Sequence, residues 1–192
     1  DLILLSDYGK GVLTFELTQA IINISNASNK KTLVDPKGLD YSKYNGAYLL
    51  TPNKKEACDA TNIIIINNKT LSQALQILKE KCNLKVSIIT LSEQGVAVYD
   101  NELRIHPTAA QEVFDVTGAG DTILASLGYA LSNNNNNIDE AVKFANIASG
   151  IVVGKIGSSV ATINEIINYE STLNNTKSFK KIKSLNEILL IT

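Results

Sequence analysis

The stretch FDVTGAGDT, Phe114 to Thr122, places small residues and one carboxylate directly before an apolar run. Thr117 is a good N-cap residue, so we predict a helix that starts with Gly118, Ala119 and Gly120. The first N–H groups of a helix have no intrahelical partner and lie at the positive end of its dipole. Small side chains there let a phosphate approach the backbone closely. The stretch therefore predicts an anion hole at a helix start.

Asp121 stands beside this predicted anion hole. A carboxylate is a poor neighbour for a phosphate unless it has a task. The evident task is to accept a proton from a hydroxyl that attacks a phosphoryl group. We therefore interpret the segment as a phosphoryl-transfer site. The structural alternative is that Gly-Ala-Gly serves close helix packing and that Asp121 only complements the helix dipole.

Two other phosphate-binding patterns do not fit the chain. The dinucleotide fingerprint G-x-G-x-x-G needs a third glycine where Ile123 stands. The nearest approach to a P-loop, GIVVGKI from Gly150, has three residues between its glycines instead of four and has Ile156 after the lysine. Neither a dinucleotide fold nor a P-loop is predicted.

Composition and charge narrow the classes of partner. The chain has 192 residues, 44% of them hydrophobic, with 18 basic and 19 acidic residues spread along it. No basic stripe is present, which argues against nucleic acid and anionic membrane as partners. No apolar run reaches the roughly 18 residues of a membrane span, and Cys58 and Cys82 do not form a C-x-x-C pair, so we expect a cytoplasmic protein with reduced thiols. The chain contains no methionine and begins inside an apolar run, so we expect it to be a fragment.

Predicted strands and helices alternate along the chain. Strands are predicted in LILLS, KKTLVD, GAYLLT, KVSIITL, GVAVYD and ELRIHP, with the last two forming a hairpin. Helices are predicted in FELTQAIINISNASN, NKKEACDA, Lys69 to Lys81, Ile123 to Leu131, and Ile138 to Val153. This alternation predicts one α/β domain with a mostly parallel sheet and helices on both faces, in which LILLS is buried on both faces.

The composition of the chain changes in its C-terminal part. We place the domain at residues 1–168 and expect residues 169–192 to be a linker or tail, because the sequence from Tyr169 to Ser184 turns polar. The closing LNEILLIT is apolar again, as the lead into a second domain would be. The asparagine run Asn133 to Asn137 is expected to be a loop.

The segment DVTGAGDT also resembles the signature of the ribokinase-like carbohydrate kinase family, whose members transfer the γ-phosphate of ATP to a sugar hydroxyl. The resemblance implies a ribokinase-like fold and ATP as cofactor. It assigns Asp121 as the catalytic base and Gly118, Ala119 and Gly120 as the anion hole. The family has a further N-terminal part with a lid, which carries much of the sugar contact and dimerises many relatives. That part is missing from this sequence, so the resemblance leaves the sugar-binding residues and a homodimer as expectations.

The segment TPNKKEA resembles the N-x-x-E motif of the same family. The resemblance implies that Asn53 and Glu56 act indirectly on Mg²⁺ and that Asn53, Lys54, Lys55 and Glu56 contact the nucleotide. The alternative is a capping box, because an asparagine N-cap with a glutamate three residues later needs no metal. Both roles can hold at once.

Further positions carry weaker assignments from the resemblance. TLSEQGV adds Thr90, Ser92 and Gly95 to the nucleotide side, although a hairpin turn explains its glycine equally well. Lys37, in DPKG, is assigned as a cation beside phosphates, and Asn146 as a residue of the adenine pocket.

A monovalent cation, K⁺, is implied near Asp115 and the carbonyls of VGKIGSSVAT, where the serine pair departs from the commoner family pattern. Asp7 and Lys10 end the first strand, where they either reach the acceptor or are turn residues.

LLSDYGKGVLT and LVDPKGLDYSKYNGAYLLTPN resemble one branch of the family, the kinases of D-glycero-β-D-manno-heptose 7-phosphate, often fused to an adenylyltransferase domain. This branch phosphorylates the anomeric hydroxyl in the biosynthesis of ADP-heptose and of the lipopolysaccharide core. Two alternatives stay open: another sugar or nucleoside kinase of the family, and a non-catalytic nucleotide-binding or oligomerisation module.

Overall fold

The computed structural model describes residues 1–110, 112–133 and 137–179. The strands are Leu2–Ser6 (β1), Lys31–Asp35 (β2), Leu49–Leu50 (β3), Val86–Thr90 (β4), Val96–Tyr99 (β5) and Leu103–His106 (β6). The α-helices are Phe15–Ala27 (α1), Lys54–Thr61 (α2), Asn68–Lys81 (α3), Ala119–Ser132 (α4), Ile138–Val153 (α5) and Ile163–Phe179 (α6). Every predicted strand and helix is present, with ends shifted by a few residues. Among these helices none is long and apolar enough to cross a membrane.

The strands form one sheet in the order β1-β2-β3-β4-β5-β6. The pairs from β1 to β4 are parallel, whereas β5 pairs antiparallel with both β4 and β6. The mostly parallel sheet and the hairpin predicted from the sequence are therefore confirmed. One face packs against α1, α2 and α3, and α4 and α5 cover the other face.

Successive residues of a strand pack against the helices on opposite faces of the sheet, because side chains alternate across a sheet. Leu33 and Leu49 join the core under α4 and α5, whereas Val34 and Leu50 join the core under α1 and α3. Helix α4 also crosses β1 at close range, since a Cβ at Gly128 would lie 2.8 Å from Leu4 Cδ2. This packing places the first turn of α4 at the carboxyl ends of β1 and β2.

Strand β1 is only partly buried within the described residues. Among the described residues it pairs only with β2, so it forms an edge of the sheet. Only Leu5 of this strand is buried, and Leu4 is 40% exposed. Within the described residues LILLS is an edge strand, and a strand with one neighbour leaves part of its side-chain surface uncovered. Its burial on both faces beside a second neighbouring strand stays a prediction.

Helix α6 continues across the domain boundary that the sequence predicts at residue 168. Ile166 is buried, the hydroxyl of Tyr169 donates to the Ala109 carbonyl, and Lys143 pairs with Glu170. These contacts attach a polar helix to α5 and to the segment after β6, and the assignment of residues 169–192 to a linker or tail stays a prediction. Residues 180–192, including the closing apolar run, lie outside the described residues, as do positions 134–136 of the asparagine run.

Candidate active site

Polar groups gather where the parallel strands end. Asp35 ends β2, Thr51 follows β3, Thr90 ends β4, and all three line a cavity of about 710 Å³ that the start of α4 also borders. In open α/β sheets the crevice outside the carboxyl ends of the strands is the usual ligand site. We therefore take this cavity as the candidate active site.

The first turn of α4 is open toward the cavity. Its N-cap is Gly118, with φ +79°, and no side chain caps the helix. The predicted Thr117 cap is wrong, because only glycine adopts this left-handed conformation without strain. Thr117 instead donates its N–H to Asp115 Oδ1. Among the described residues, the N–H groups of Gly120 and Asp121 have no acceptor, which leaves them available to an anion.

Asp121 is exposed and is held by two hydroxyls at the end of β1. Ser6 Oγ donates to its Oδ1 at 3.1 Å, and the Tyr8 hydroxyl donates to its Oδ2 at 2.9 Å. The hydrogen bond to Asp121 and its negative charge raise the pKa of Tyr8 above the ordinary value. Sequence reasoning missed Ser6 and Tyr8; the signal for them was their position at the carboxyl end of a predicted strand.

The N-terminus of α2 borders the same cavity and forms the predicted capping box. Asn53 Oδ1 accepts the Glu56 N–H at 2.9 Å, and Glu56 Oε2 accepts the Asn53 N–H at 3.0 Å. Glu56 Oε1 also pairs with Lys37 Nζ at 2.8 Å. The capping alternative is thus confirmed, and because Asn53 and Glu56 both line the cavity, a phosphate or magnesium role stays a prediction.

Asp35 is a further acid of the site that sequence reasoning missed. Its carboxylate accepts a hydrogen bond from Thr51 Oγ1 at 3.3 Å and lies between the starts of α2 and α4. Burial, and then the negative charge of Glu56, raise its pKa to about 6. The signal was its place as the last residue of a buried strand, two positions before Lys37 in DPKG.

Two acids that line the cavity, Asp35 and Glu56, suit a cation that keeps part of its water shell better than one bound entirely by protein ligands. Within residues 1–110, 112–133 and 137–179, no three His, Cys, Asp or Glu side chains form a group that could hold a metal ion. Mg²⁺ commonly takes one or two carboxylates and completes its shell with water and phosphate oxygens. Asp35 and Glu56 line one cavity and interact through their charges, so these residues fit such an ion.

Several predicted nucleotide contacts do line the cavity: Thr90, Ser92, Gly95 and Asn146. Gly95 has φ +94°, and a Cβ there would lie 2.0 Å from the His106 carbonyl oxygen, so the turn itself requires glycine. Asn146 is buried and donates from Nδ2 to the Pro107 carbonyl at 2.6 Å. It therefore ties α5 to the segment after β6, whichever ligand the cavity takes.

Other predicted contacts lie elsewhere. Lys54 and Lys55 are exposed on the first turn of α2 and are absent from the lining of the cavity. Lys37 lines a second, open groove of about 670 Å³, together with Tyr8 and Gly38. We call this second groove, lined by Tyr8, Gly9, Phe15, Lys37, Gly38, Leu39, Asp40, Ser42 and Lys43, the β1 groove.

Asp115 lies against the end of α5. The N–H groups of Phe114 and Asp115 donate to the Val153 carbonyl. Hydrogen bonds from Thr117, and a further one from the Gly157 N–H, lower the pKa of Asp115. The structure thus brings Asp115 and the VGKIG segment together, and K⁺ binding there stays a prediction.

Comparison with known proteins places the chain in a family. Residues 4–165 match the model of the pfkB family carbohydrate kinases. The chain is 61% identical over 186 residues to the Bifunctional protein HldE of Aliarcobacter butzleri, covering 97% of this chain and 39% of that protein. The corresponding protein of Sulfurimonas denitrificans is 56% identical over 188 residues, covering 98% and 39%. The chain thus spans about two fifths of the length of the curated relatives it matches.

Solved structures of similar fold include ribokinases. The ribokinase of Thermotoga maritima is 26% identical, with a TM-score of 0.74 over 89% of this chain and 57% of that one. The Arabidopsis thaliana ribokinase, solved with ribose and ATP, is 20% identical, with a TM-score of 0.77 over 88% of this chain and 55% of that one. These likenesses confirm the ribokinase-like fold predicted from the GAGD segment. The match of the family model over most of the chain shows that it belongs to the pfkB family of carbohydrate kinases.

Proposed function

We propose that this chain carries the catalytic part of a kinase that transfers the γ-phosphate of ATP to the anomeric hydroxyl of D-glycero-β-D-manno-heptose 7-phosphate. The product is the 1,7-bisphosphate, an intermediate of ADP-heptose and lipopolysaccharide core synthesis. The observation that carries the proposal is the uncapped start of α4, where free amides and the Asp121 carboxylate stand together beside a cavity. Membership of a carbohydrate kinase family supports the same reaction class.

On the donor side, the phosphates of ATP would lie against the N–H groups of Gly120 and Asp121. Bound Mg²⁺ would neutralise charge on the phosphate oxygens. Asp35 and Glu56 are the residues that would hold that ion, through water or directly. Thr90 and Ser92 line the same cavity and would contact the nucleotide. A K⁺ ion near Asp115 belongs to the same proposal.

On the acceptor side, the sugar would lie in the β1 groove. Tyr8 lines this groove and bonds Asp121, so a molecule bound there lies beside the carboxylate. The acceptor oxygen forms a bond to the γ-phosphorus while the bond from that phosphorus to the β,γ-bridging oxygen breaks. Asp121 takes the proton of the acceptor hydroxyl, and ADP leaves.

Two observations support heptose 7-phosphate as acceptor. The stretches that resemble the heptose 7-phosphate kinases, SDYGKGVLT and DPKGLDYSKY, supply most of the lining of the β1 groove. The relatives named Bifunctional protein HldE match nearly the whole chain at 61% and 56% identity. Substrate choice in a kinase follows from contacts of this kind to the acceptor.

The test is an acceptor panel with the complete gene product. Heptose 7-phosphate should give the highest kcat/KM, ahead of ribose, fructose, their phosphates and a nucleoside. A preference for an unphosphorylated pentose or hexose would move the chain to another branch of the family. ATP binding without turnover of any acceptor would favour the non-catalytic module instead.

A further inference from the structure

We propose that Ser6 and Tyr8 are positioning residues for Asp121, which fix its carboxylate from the end of β1. The inference rests on the proposed role of Asp121 as the base. Neither residue belongs to the GAGD segment, and they lie 115 and 113 positions from Asp121 in the sequence.

The two hydroxyls act on different oxygens of one exposed carboxylate. Ser6 Oγ bonds Oδ1 and the Tyr8 hydroxyl bonds Oδ2, so the plane of the carboxylate cannot rotate without losing a hydrogen bond. An ionised carboxylate has about four lone-pair sites, and two hydroxyl donors leave the others free for the proton of an acceptor. A base held in one orientation keeps the near-attack geometry on which proximity effects depend.

Asp7 explains why these two hydroxyls are themselves well placed. It lies between them in the sequence and is buried, with its Oδ2 bonded by the Tyr44 hydroxyl at 2.7 Å and paired with Lys43. Its Oδ1 accepts the Gly9 N–H at 2.7 Å. Burial opposes ionisation of Asp7, but these hydrogen bonds together hold its pKa below the ordinary value.

Because Asp7 points into the protein, its two neighbours along the extended chain point the other way, toward α4. The Asp7 N–H also continues the pairing of β1 with β2 by donating to the Asp35 carbonyl. Asp7, for which the sequence left a contact with the acceptor and a turn equally open, is therefore the anchor of the segment, and the residues on either side of it carry the hydroxyls.

Kinetics separate positioning from binding. Tyr8→Phe keeps the ring that lines the β1 groove and removes only the hydroxyl, so it should lower kcat about 10-fold with the KM for acceptor and ATP unchanged. Ser6→Ala should lower kcat about 3-fold in the same way, and Ser6→Thr, which restores a hydroxyl, should recover most of that loss.

Tyr99→Phe is the matched control. Its hydroxyl accepts a hydrogen bond from Gln76 Nε2 at 2.6 Å, on an exposed surface remote from Asp121. The variant also removes a tyrosine hydroxyl that makes a hydrogen bond, and it should keep wild-type kcat.

A second measurement tests the hydrogen bond between Tyr8 and Asp121 without catalytic turnover. The protein is labelled with ¹³C at the tyrosine ring carbon that bears the hydroxyl, and the pKa of Tyr8 is measured by NMR as a function of pH. The Tyr8 resonance is assigned as the one that is missing from the spectrum of Tyr8→Phe. Asp121 raises the pKa of Tyr8, with smaller contributions from burial and from Asp35. Asp121→Asn should therefore lower the pKa of Tyr8 toward its ordinary value.

The outcomes separate this inference from the proposed function. If Asp121→Asn abolishes phosphoryl transfer while Tyr8→Phe and Ser6→Ala keep wild-type kcat, the positioning role is overturned and the function stands. An unchanged Tyr8 pKa in Asp121→Asn also overturns it. If Asp121→Asn keeps full turnover, the proposed function fails, and the positioning of a catalytic base fails with it.

Discussion

The helices α2 and α4 both begin at the cavity, and both carry an acid at their third residue, yet their N-termini are built in opposite ways. In α2 the Asn53 side chain caps the helix, and Glu56 folds back onto the Asn53 N–H. In α4 the N-cap is Gly118, which has no side chain to offer, and Asp121 turns away from its own helix to the hydroxyls of Ser6 and Tyr8. The cap of α2 satisfies the N–H of its third residue, Glu56, whereas the N–H of the third residue of α4, Asp121, has no acceptor among the described residues.

The N-termini of α2 and α4 show how a capped helix start differs from one that can take part in a reaction. A capping box engages one amide and one oxygen of the N3 carboxylate, so in α2 only the other oxygen of Glu56, which also pairs with Lys37, faces a ligand. An uncapped start with small residues leaves both the amides and the acid available, at some cost in helix stability.

Asp121→Asn should lower kcat by at least ~10²-fold and leave ATP binding intact, because it removes a general base and not a binding contact. Single-turnover phosphoryl transfer and calorimetric ATP titration measure the two quantities. Glu56→Gln makes the same chemical change at the other N-terminus and should lower kcat far less. Turnover of Asp121→Asn within a few-fold of wild type would remove Asp121 from its role.

Asp35→Asn should stabilise the protein at pH 7 by roughly 2 kcal/mol, a value discounted for the partial exposure of Asp35. The pKa of Asp35 is about 6 in the folded protein, above its value of about 4 in an unfolded chain. The folded state therefore binds the proton more tightly, and the stability from this group is full below pH 4 and is lost as the pH rises through 6.

Urea unfolding at pH 4 and pH 7 measures the effect of Asp35→Asn. The gain in unfolding free energy should be present at pH 7 and nearly absent at pH 4. The exposed Asp59 of α2 supplies the control, since Asp59→Asn should change stability little at either pH. An equal gain at both pH values would contradict the electrostatic cause.

Gly120→Ala should weaken ATP binding about 10-fold without unfolding the protein, because the added methyl would occupy the approach to the open amides. The fold has room for it, since the nearest atom to a Cβ there is Asp35 Oδ2 at 3.8 Å. Gly128→Ala is the control. Its Cβ would meet the end of the partly exposed Leu4 side chain at 2.8 Å, which can shift, so it should change stability by no more than about 1 kcal/mol and spare ATP affinity.

Calorimetric ATP titration beside thermal unfolding distinguishes these two glycine variants. If Gly120→Ala binds ATP as tightly as wild type, the start of α4 is not the phosphate site.

Asn53→Ala should cost about 1 kcal/mol of stability, as the loss of an N-cap does. Combined with Glu56→Ala, it should also raise the Mg²⁺ concentration needed for half-maximal activity. Asn67 caps α3 in a similar box with Thr70, away from the cavity, so Asn67→Ala should cost similar stability and leave the magnesium requirement alone. If activity depends on the Mg²⁺ concentration in the same way in the Asn53/Glu56 variant and in Asn67→Ala, then Asn53 and Glu56 act only as a helix cap.

The predictable parts of this protein were those in which a short segment decides its own structure. The capping box at Asn53 and Glu56 was predicted because its partners are three residues apart. Helix α3 followed from the spacing of Leu71, Leu75 and Leu78, which form its buried face. The Thr117 cap failed because the backbone of the next residue took a left-handed conformation that residue type alone does not require.

The candidate site likewise contains residues that a local pattern identifies and residues that it does not. Asp121 and the glycines around it form one local pattern, and the sequence alone marked them. Lys54 and Lys55 belong to the same kind of motif, but they are exposed and do not line the cavity. Asp35 entered the site only because β2 ends beside α2 and α4.

The sequence by itself determined the alternation of strands and helices, the family, and the acid that begins α4, because each rests on neighbouring residues. Only the tertiary structure decided that hydroxyls at the end of β1 hold that acid, that Asp7 is their buried anchor, and that Asp35 lies between two helix starts. The contacts of Asp121 join segments more than 100 positions apart, and those of Asp7 join residues 36 and 37 positions apart. They depend on strand order and on how closely α4 packs over β1, which no local pattern of residues specifies.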